Sequence, residues 1–199
     1  ACIVPWTSIC LSANGDIKPC CQYSNNKKVV GHSAHYHNIY QGSTLEEAWK
    51  SFQDLREAFV TKKWKPTGCR SCWKTEESLG HSRRHWMFEK IKYKPDNYPF
   101  EPVMNLKHMD LNFGNTCNLK CRSCNTNYSS KWREEAIDRQ VPFWEVNSEI
   151  DMMDEENSKF WTDMRNWTND ILRLEIMGGE PFYMKQFREF AKMLIAVSY

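Results

Sequence analysis

Three cysteines fall within eight positions of the stretch NTCNLKCRSCN, residues 115–125: Cys117, Cys121 and Cys124. A structural zinc site closes a tetrahedron with four ligands, usually met in sequence as two pairs. Three thiolates on a four-iron cluster instead leave one iron without a protein ligand, open to a small molecule carrying its own amine and carboxylate. Zinc at the triplet needs a distant fourth ligand, His108 or another. The remaining cysteines are Cys2, Cys10, Cys20 and Cys21 near the start and the pair Cys69 and Cys72. A disulfide framework needs an oxidising compartment and leaves one of the nine over, so metal or iron–sulfur ligation is the stronger reading.

The triplet needs elements to position it. HMDLNFG reads as a strand running straight into it, and NYSSKWREEAIDR as the helix that follows, with Ser129 and Ser130 at its start. DEENSKFWTDMRNW is a further helix, ILRLEIM a strand, GGEP a loop and FYMKQFREFAKMLIAV a helix. Strands alternating with helices imply parallel βα units. Earlier in the chain, WTSICLS and IKPC flank the turn ANGD as a hairpin. STLEEAWKSFQDLREAFVTKKW is an amphipathic helix opened by a Thr44–Glu47 capping box. KPTGCRSC ends it, and TEESLGHSRRHWMFEKI is predicted as one more helix. Lys94–Glu101 reads as a linker and sets the expected domain boundary near residue 100.

Cys117, Cys121 and Cys124 after a strand resemble the CxxxCxxC signature of the radical S-adenosylmethionine (SAM) enzymes. GGEP, Gly178, Gly179, Glu180 and Pro181, resembles that family's second motif, which binds the amino group of SAM. Ser123 stands where the family usually has a bulky residue. The resemblance implies a SAM-binding [4Fe-4S] cluster on the triplet, reductive cleavage of SAM, and a 5′-deoxyadenosyl radical that takes hydrogen from a substrate. Cys2, Cys20, Cys69 and Cys72 resemble the ligands of a SPASM/twitch domain, implying a second, auxiliary [4Fe-4S] cluster. Cys21 is the alternative to Cys20, because neighbours in a strand point oppositely. The run Cys69, Cys72, Glu76, Gly80, Ser82 and Arg84 resembles the C..C...E..G..S.R pattern of a subgroup in which this domain precedes the barrel.

The expected fold is therefore α/β. Residues 1–100 would be a small α+β twitch-like domain, and 101–199 the first βα units of a radical SAM barrel. Two βα units are too few to close a barrel, so the chain is expected to stop part-way through one; with no initiating Met, it is expected to begin inside a longer protein. A peptide is the leading substrate class, by analogy alone, and a reductant protein the expected electron source. The rival is a zinc-stabilised binding module without catalysis, zinc being able to fill the four-cysteine site as well.

Composition bounds the rest. A net charge of +2 with interleaved signs argues against a nucleic-acid partner, and no apolar run approaches the ~20 residues that cross a bilayer. The cytoplasm is the expected location. Cys10 reads as a buried small hydrophobe, the loop with His32, His35 and His37 as polar and flexible, and Arg83, Arg84 and His85 as a solvated helix face.

Overall fold

A computed structural model describes residues 2–24, 37–63, 65–92, 98–99, 102–141 and 158–197. His32 and His35, and all of the expected linker except Tyr98 and Pro99, lie outside them. The fold is mixed α/β around a five-stranded mixed sheet. Its strands are β1 (Ser8–Leu11), β2 (Asp16–Lys18), β3 (His37–Asn38), β4 (His108–Asn112) and β5 (Arg173–Met177), ordered β3-β2-β1-β4-β5. The predicted hairpin is β1–β2, antiparallel with Cys10 opposite Lys18. The predicted βα strands are β4 and β5, parallel with Asp110 opposite Glu175. β1 also runs parallel to β4, Ser8 opposite His108 through Leu11 opposite Leu111, so the sheet continues across the expected division near residue 100.

The helices are α1 (Leu45–Lys50), α2 (Gln53–Thr61), α3 (Arg70–Leu79), α4 (Arg83–Ile91), α5 (Ser130–Asp138), α6 (Ser158–Trp167) and α7 (Lys185–Val197). The capping box is present: Glu47 N–H donates to Thr44 Oγ1 at 3.1 Å and Thr44 N–H to Glu47 Oε2 at 2.8 Å. The single helix expected over 44–63 is broken at Ser51–Phe52. Arg56, only 1% exposed, is the reason: its guanidinium donates to the Trp49 carbonyl at 2.7 Å and to the Pro5 carbonyl at 3.0 Å. That draws Trp49 C=O away from the regular ladder. The helix expected through residue 80 is likewise two, α3 and α4, meeting at Gly80.

Alternation of side chains gives the sheet two unlike faces. Ile9, Leu11, Ile17, Met109 and Leu111 join Trp49, Phe52, Phe160 and Phe190 in the main core. Burying each of these apolar side chains contributes on the order of 2 kcal/mol. The opposite face is polar and nearly as buried: Cys10, Asp110 and Glu175 form one row in register, Ser8, His108 and Arg173 the next. α4 covers it. Arg83 reaches Glu175 at 2.9 Å and Asp110 at 3.6 Å, and its guanidinium and that of Arg173 both lie over the Trp86 ring. Arg83 is thus not on a solvated face, contrary to expectation; the acidic row pulls it in.

This buried polar face makes the fold acid-sensitive. Burial lowers the His108 imidazole from 6.5 to about 4. Burial would raise Glu175, but hydrogen bonds from Arg173 and Arg83 outweigh it and bring the carboxyl from 4.5 to about 2. In both windows the unfolded chain holds a proton that the folded chain lacks, so stability falls as pH falls. The loss starts between 6.5 and 4 from His108 and continues between 4.5 and 2 from Glu175. In urea unfolding, His108→Gln is expected to flatten the first decline and leave the second. An unchanged decline between pH 6.5 and 4 would remove His108 as its source.

Candidate iron–sulfur sites

Four cysteines from three segments line one cavity. Cys2 precedes the helical turn Val4–Thr7, Cys20 follows β2, and Cys69 and Cys72 lie in the turn Thr67–Cys69 and the start of α3. The hairpin's return is tied to that turn by Ser24 N–H donating to the Gly68 carbonyl at 3.0 Å. Burial pushes the Cys2 and Cys20 thiols up to about 12, the neighbouring thiols adding to it, and Cys69 higher still for the same reasons. Bare thiolates are therefore disfavoured in this cavity, and a metal centre would offset their charge. The donor set is all sulfur, which suits a four-iron cluster or zinc. No group of three or more His, Cys, Asp or Glu among the described residues is gathered so as to hold a single metal ion.

Cys21 faces the other way. It lies beside Asp110 and Arg83, and burial pushes its thiol to about 12. With Cys10, 3% exposed as expected, it lines a second cavity of about 350 Å³. Cys20→Ser is expected to remove the iron and sulfide bound at the four-cysteine cavity, and Cys21→Ser to leave them. Equal losses in the two would refute this division between neighbours.

Of the C..C...E..G..S.R residues, Cys69, Cys72 and Arg84 line the first cavity, and Glu76, which Ser82 also binds, holds Arg84. Glu76, on α3, accepts hydrogen bonds from Ser82 Oγ at 2.5 Å and from the Arg84 guanidinium through both carboxylate oxygens. Burial opposes ionisation of Glu76, but these hydrogen bonds outweigh it and hold the carboxyl below its ordinary range. Arg84 also lies over the Trp73 ring at 4.0 Å. Arg84, like Arg83, is therefore no solvated residue.

The triplet occupies the loop after β4. Cys117 is buried, Cys124 half-buried and Cys121 exposed. The start of α5 holds the loop: Ser130 Oγ accepts from Cys117 N–H at 3.0 Å, Ser129 Oγ donates to the Leu119 carbonyl at 2.8 Å, and Trp132 Nε1 donates to the Cys121 carbonyl at 2.9 Å. The serines were legible as a cap; their bonds to the loop, and Trp132, were not. His108, the proposed fourth zinc ligand, opens β4 at the end away from the triplet, about 13 Å off along the strand. It is 3.5 Å from Glu175 instead.

GGEP packs directly on this loop. Gly179 N–H donates to the Tyr128 carbonyl at 3.0 Å and Glu180 N–H to the Thr116 carbonyl at 3.1 Å. The Glu180 carboxylate accepts from Phe182 N–H at 3.3 Å, opening the turn Pro181–Tyr183. The 350 Å³ cavity opens at the same strand ends, though no residue of the triplet or of GGEP lines it. Leu11, Asn112 and Met177, the last residues of the three parallel strands, line it together with Asn127 and Tyr128.

Residues 2–73 match the family model of the SPASM iron–sulfur cluster-binding domain. This stretch is thus similar to that domain, over little more than a third of the chain. It holds Cys2, Cys20, Cys69 and Cys72, and its match ends before the triplet. No curated protein and no solved structure matches the chain. Such a domain fits the auxiliary cluster region of radical SAM enzymes. No helix among the described residues is long and apolar enough to cross a membrane.

Proposed function

We propose that the chain is part of a radical SAM enzyme carrying two [4Fe-4S] sites. The observation that carries this reading is the stacking of the triplet loop on GGEP at adjacent parallel strand ends, through the Glu180–Thr116 and Gly179–Tyr128 backbone bonds. Cys117, Cys121 and Cys124 would hold the first cluster, leaving one iron for SAM. When bound there and reduced, such a cluster would supply one electron to SAM, for cleavage of a carbon–sulfur bond to methionine and a 5′-deoxyadenosyl radical. The chain positions the partners. Gly178, Gly179, Glu180 and Pro181 form the edge that receives the SAM amine, Gly178 and Gly179 letting the backbone approach closely. Asn112 and Tyr128 wall the cavity in which a substrate would meet the radical. That cavity also presents Asp16, Lys18 and Asn14, a mix of charges and amides that suits a peptide.

Cys2, Cys20, Cys69 and Cys72 would close the auxiliary cluster on four sides, suiting electron transfer. An external one-electron donor and a reducing compartment, the cytoplasm, complete the scheme. Anaerobic purification tests it. Iron with matching sulfide, a brown colour bleached by dithionite, and 5′-deoxyadenosine formed from SAM are expected. A colourless protein with stoichiometric zinc would establish the binding module instead.

A further inference from the structure

Arg84 and Arg83 are neighbours on the first turn of α4, and both reach the wall of the four-cysteine cavity. Their charges are committed differently. Arg83 is spent on the polar sheet face, on Glu175 and Asp110. Arg84 stays at the cavity, its guanidinium over the ring of Trp73, which lines the same wall, and held by Glu76, which Ser82 also binds. A guanidinium fixed at two points loses little freedom when a negative group arrives beside it.

We propose that Arg84 sets the charge balance of the auxiliary cluster and raises its reduction potential, with Glu76 as the counter-charge that moderates it. This rests on the reading of the cavity as an iron–sulfur site. A four-iron cluster with four thiolate ligands gains one negative charge when one electron enters from an external donor, and no bond breaks. A fixed cation nearby stabilises the reduced form more than the oxidised one, and net charge around a cluster is among the factors that set its potential. Glu76 acts with opposite sign through the same guanidinium. The E..G..S.R residues are then a device for holding one positive charge at a set place, with Gly80 making the corner that brings Ser82 and Arg84 back to Glu76.

The test uses the full chain on a Cys121→Ala background, so that the auxiliary site alone is read, with Arg84→Gln, Arg84→Lys and Glu76→Gln added singly. Iron and sulfide are assayed first. Each protein is then poised with dithionite and mediators, and its reduced fraction read by electron paramagnetic resonance. Arg84→Gln is expected to shift the reduced-to-oxidised ratio about tenfold toward oxidised, about 59 mV for a one-electron couple. Arg84→Lys is expected to remain close to the parent, and Glu76→Gln to shift toward reduced. If Arg84→Gln fails to bind iron while Arg84→Lys binds it at the parental potential, the need for the charge is upheld. Four equal ratios would overturn the proposal. So would shifts of one sign in Arg84→Gln and Glu76→Gln, since a purely mechanical brace fails alike from either end. Loss of iron from both Arg84 variants would make the residue a fold element and overturn it too. A parent holding zinc in place of iron overturns the cluster reading itself, and the metal assay separates that result from the others.

Discussion

Cys121→Ala is expected to lose about half of the iron and sulfide of the anaerobically reconstituted chain and to reduce 5′-deoxyadenosine formation to background. Cys121 is the informative member of the triplet because its side chain is exposed. The core owes it nothing, and Trp132 binds its backbone carbonyl, which the substitution keeps. Cys117 is a poorer choice. It is buried and its sulfur accepts a hydrogen bond from Leu119 N–H at 3.4 Å, so its loss would mix metal and folding effects. Removing one of three thiolates leaves two, too few to retain the cluster. The thermal midpoint of the Cys121→Ala chain, compared with the parent after metal is stripped from both, should be unchanged. Full iron content and undiminished 5′-deoxyadenosine would remove the triplet from the chemistry.

Gly178→Ala is expected to destabilise the fold by roughly 3–5 kcal/mol, a large share of the stability of an ordinary domain. Two costs add. The backbone there has φ +82°, a left-handed conformation that costs an L-residue roughly 1–2 kcal/mol. A Cβ would also lie 1.8 Å from Asn112 Oδ1 and 2.5 Å from the Gly114 carbonyl oxygen. Asn112 Oδ1 cannot simply move, because it accepts from Gly114 N–H at 3.1 Å, and stranding that buried donor costs a further ~1–3 kcal/mol. Gly42→Ala is the control. Its φ of +85° is similar but nothing lies within 4 Å of its Cβ, so only the conformational cost should remain. Denaturant unfolding of the two variants measures the difference, and equal losses would mean that the GGEP loop and the triplet loop are not in close contact.

Local signals in the sequence carried far. The Thr44–Glu47 box, the Asn14–Gly15 turn and the serines before α5 each act over a few residues, and each is present. Which of Cys20 and Cys21 faces the four-cysteine cavity needed the fold. What escaped was set by distant partners. Arg56 reads from sequence as a surface residue, yet it is buried and breaks a helix by binding the Trp49 carbonyl. Gly80, with φ +70°, ends one helix inside the stretch whose pattern predicts a single one. Arg83 and Arg84 looked solvated because Glu175 and Glu76, which hold them, stand 92 and 8 positions away. The pairing of β1 with β4 had no signal at all, since a strand's sequence does not name its neighbour.

That pairing bears on how the protein is made. Ser8 waits for His108, 100 positions later, before the central ladder can close. At the pace of a ribosome this is an interval of about 5–20 s, during which Cys2, Cys10, Cys20 and Cys21 have no finished shelter. Loop closure over so long a span is slow even afterwards. Until that ladder closes, the thiols of the N-terminal segment stay open to oxygen and to stray metal, so refolding and expression yields should fall when thiol protection is withdrawn during synthesis.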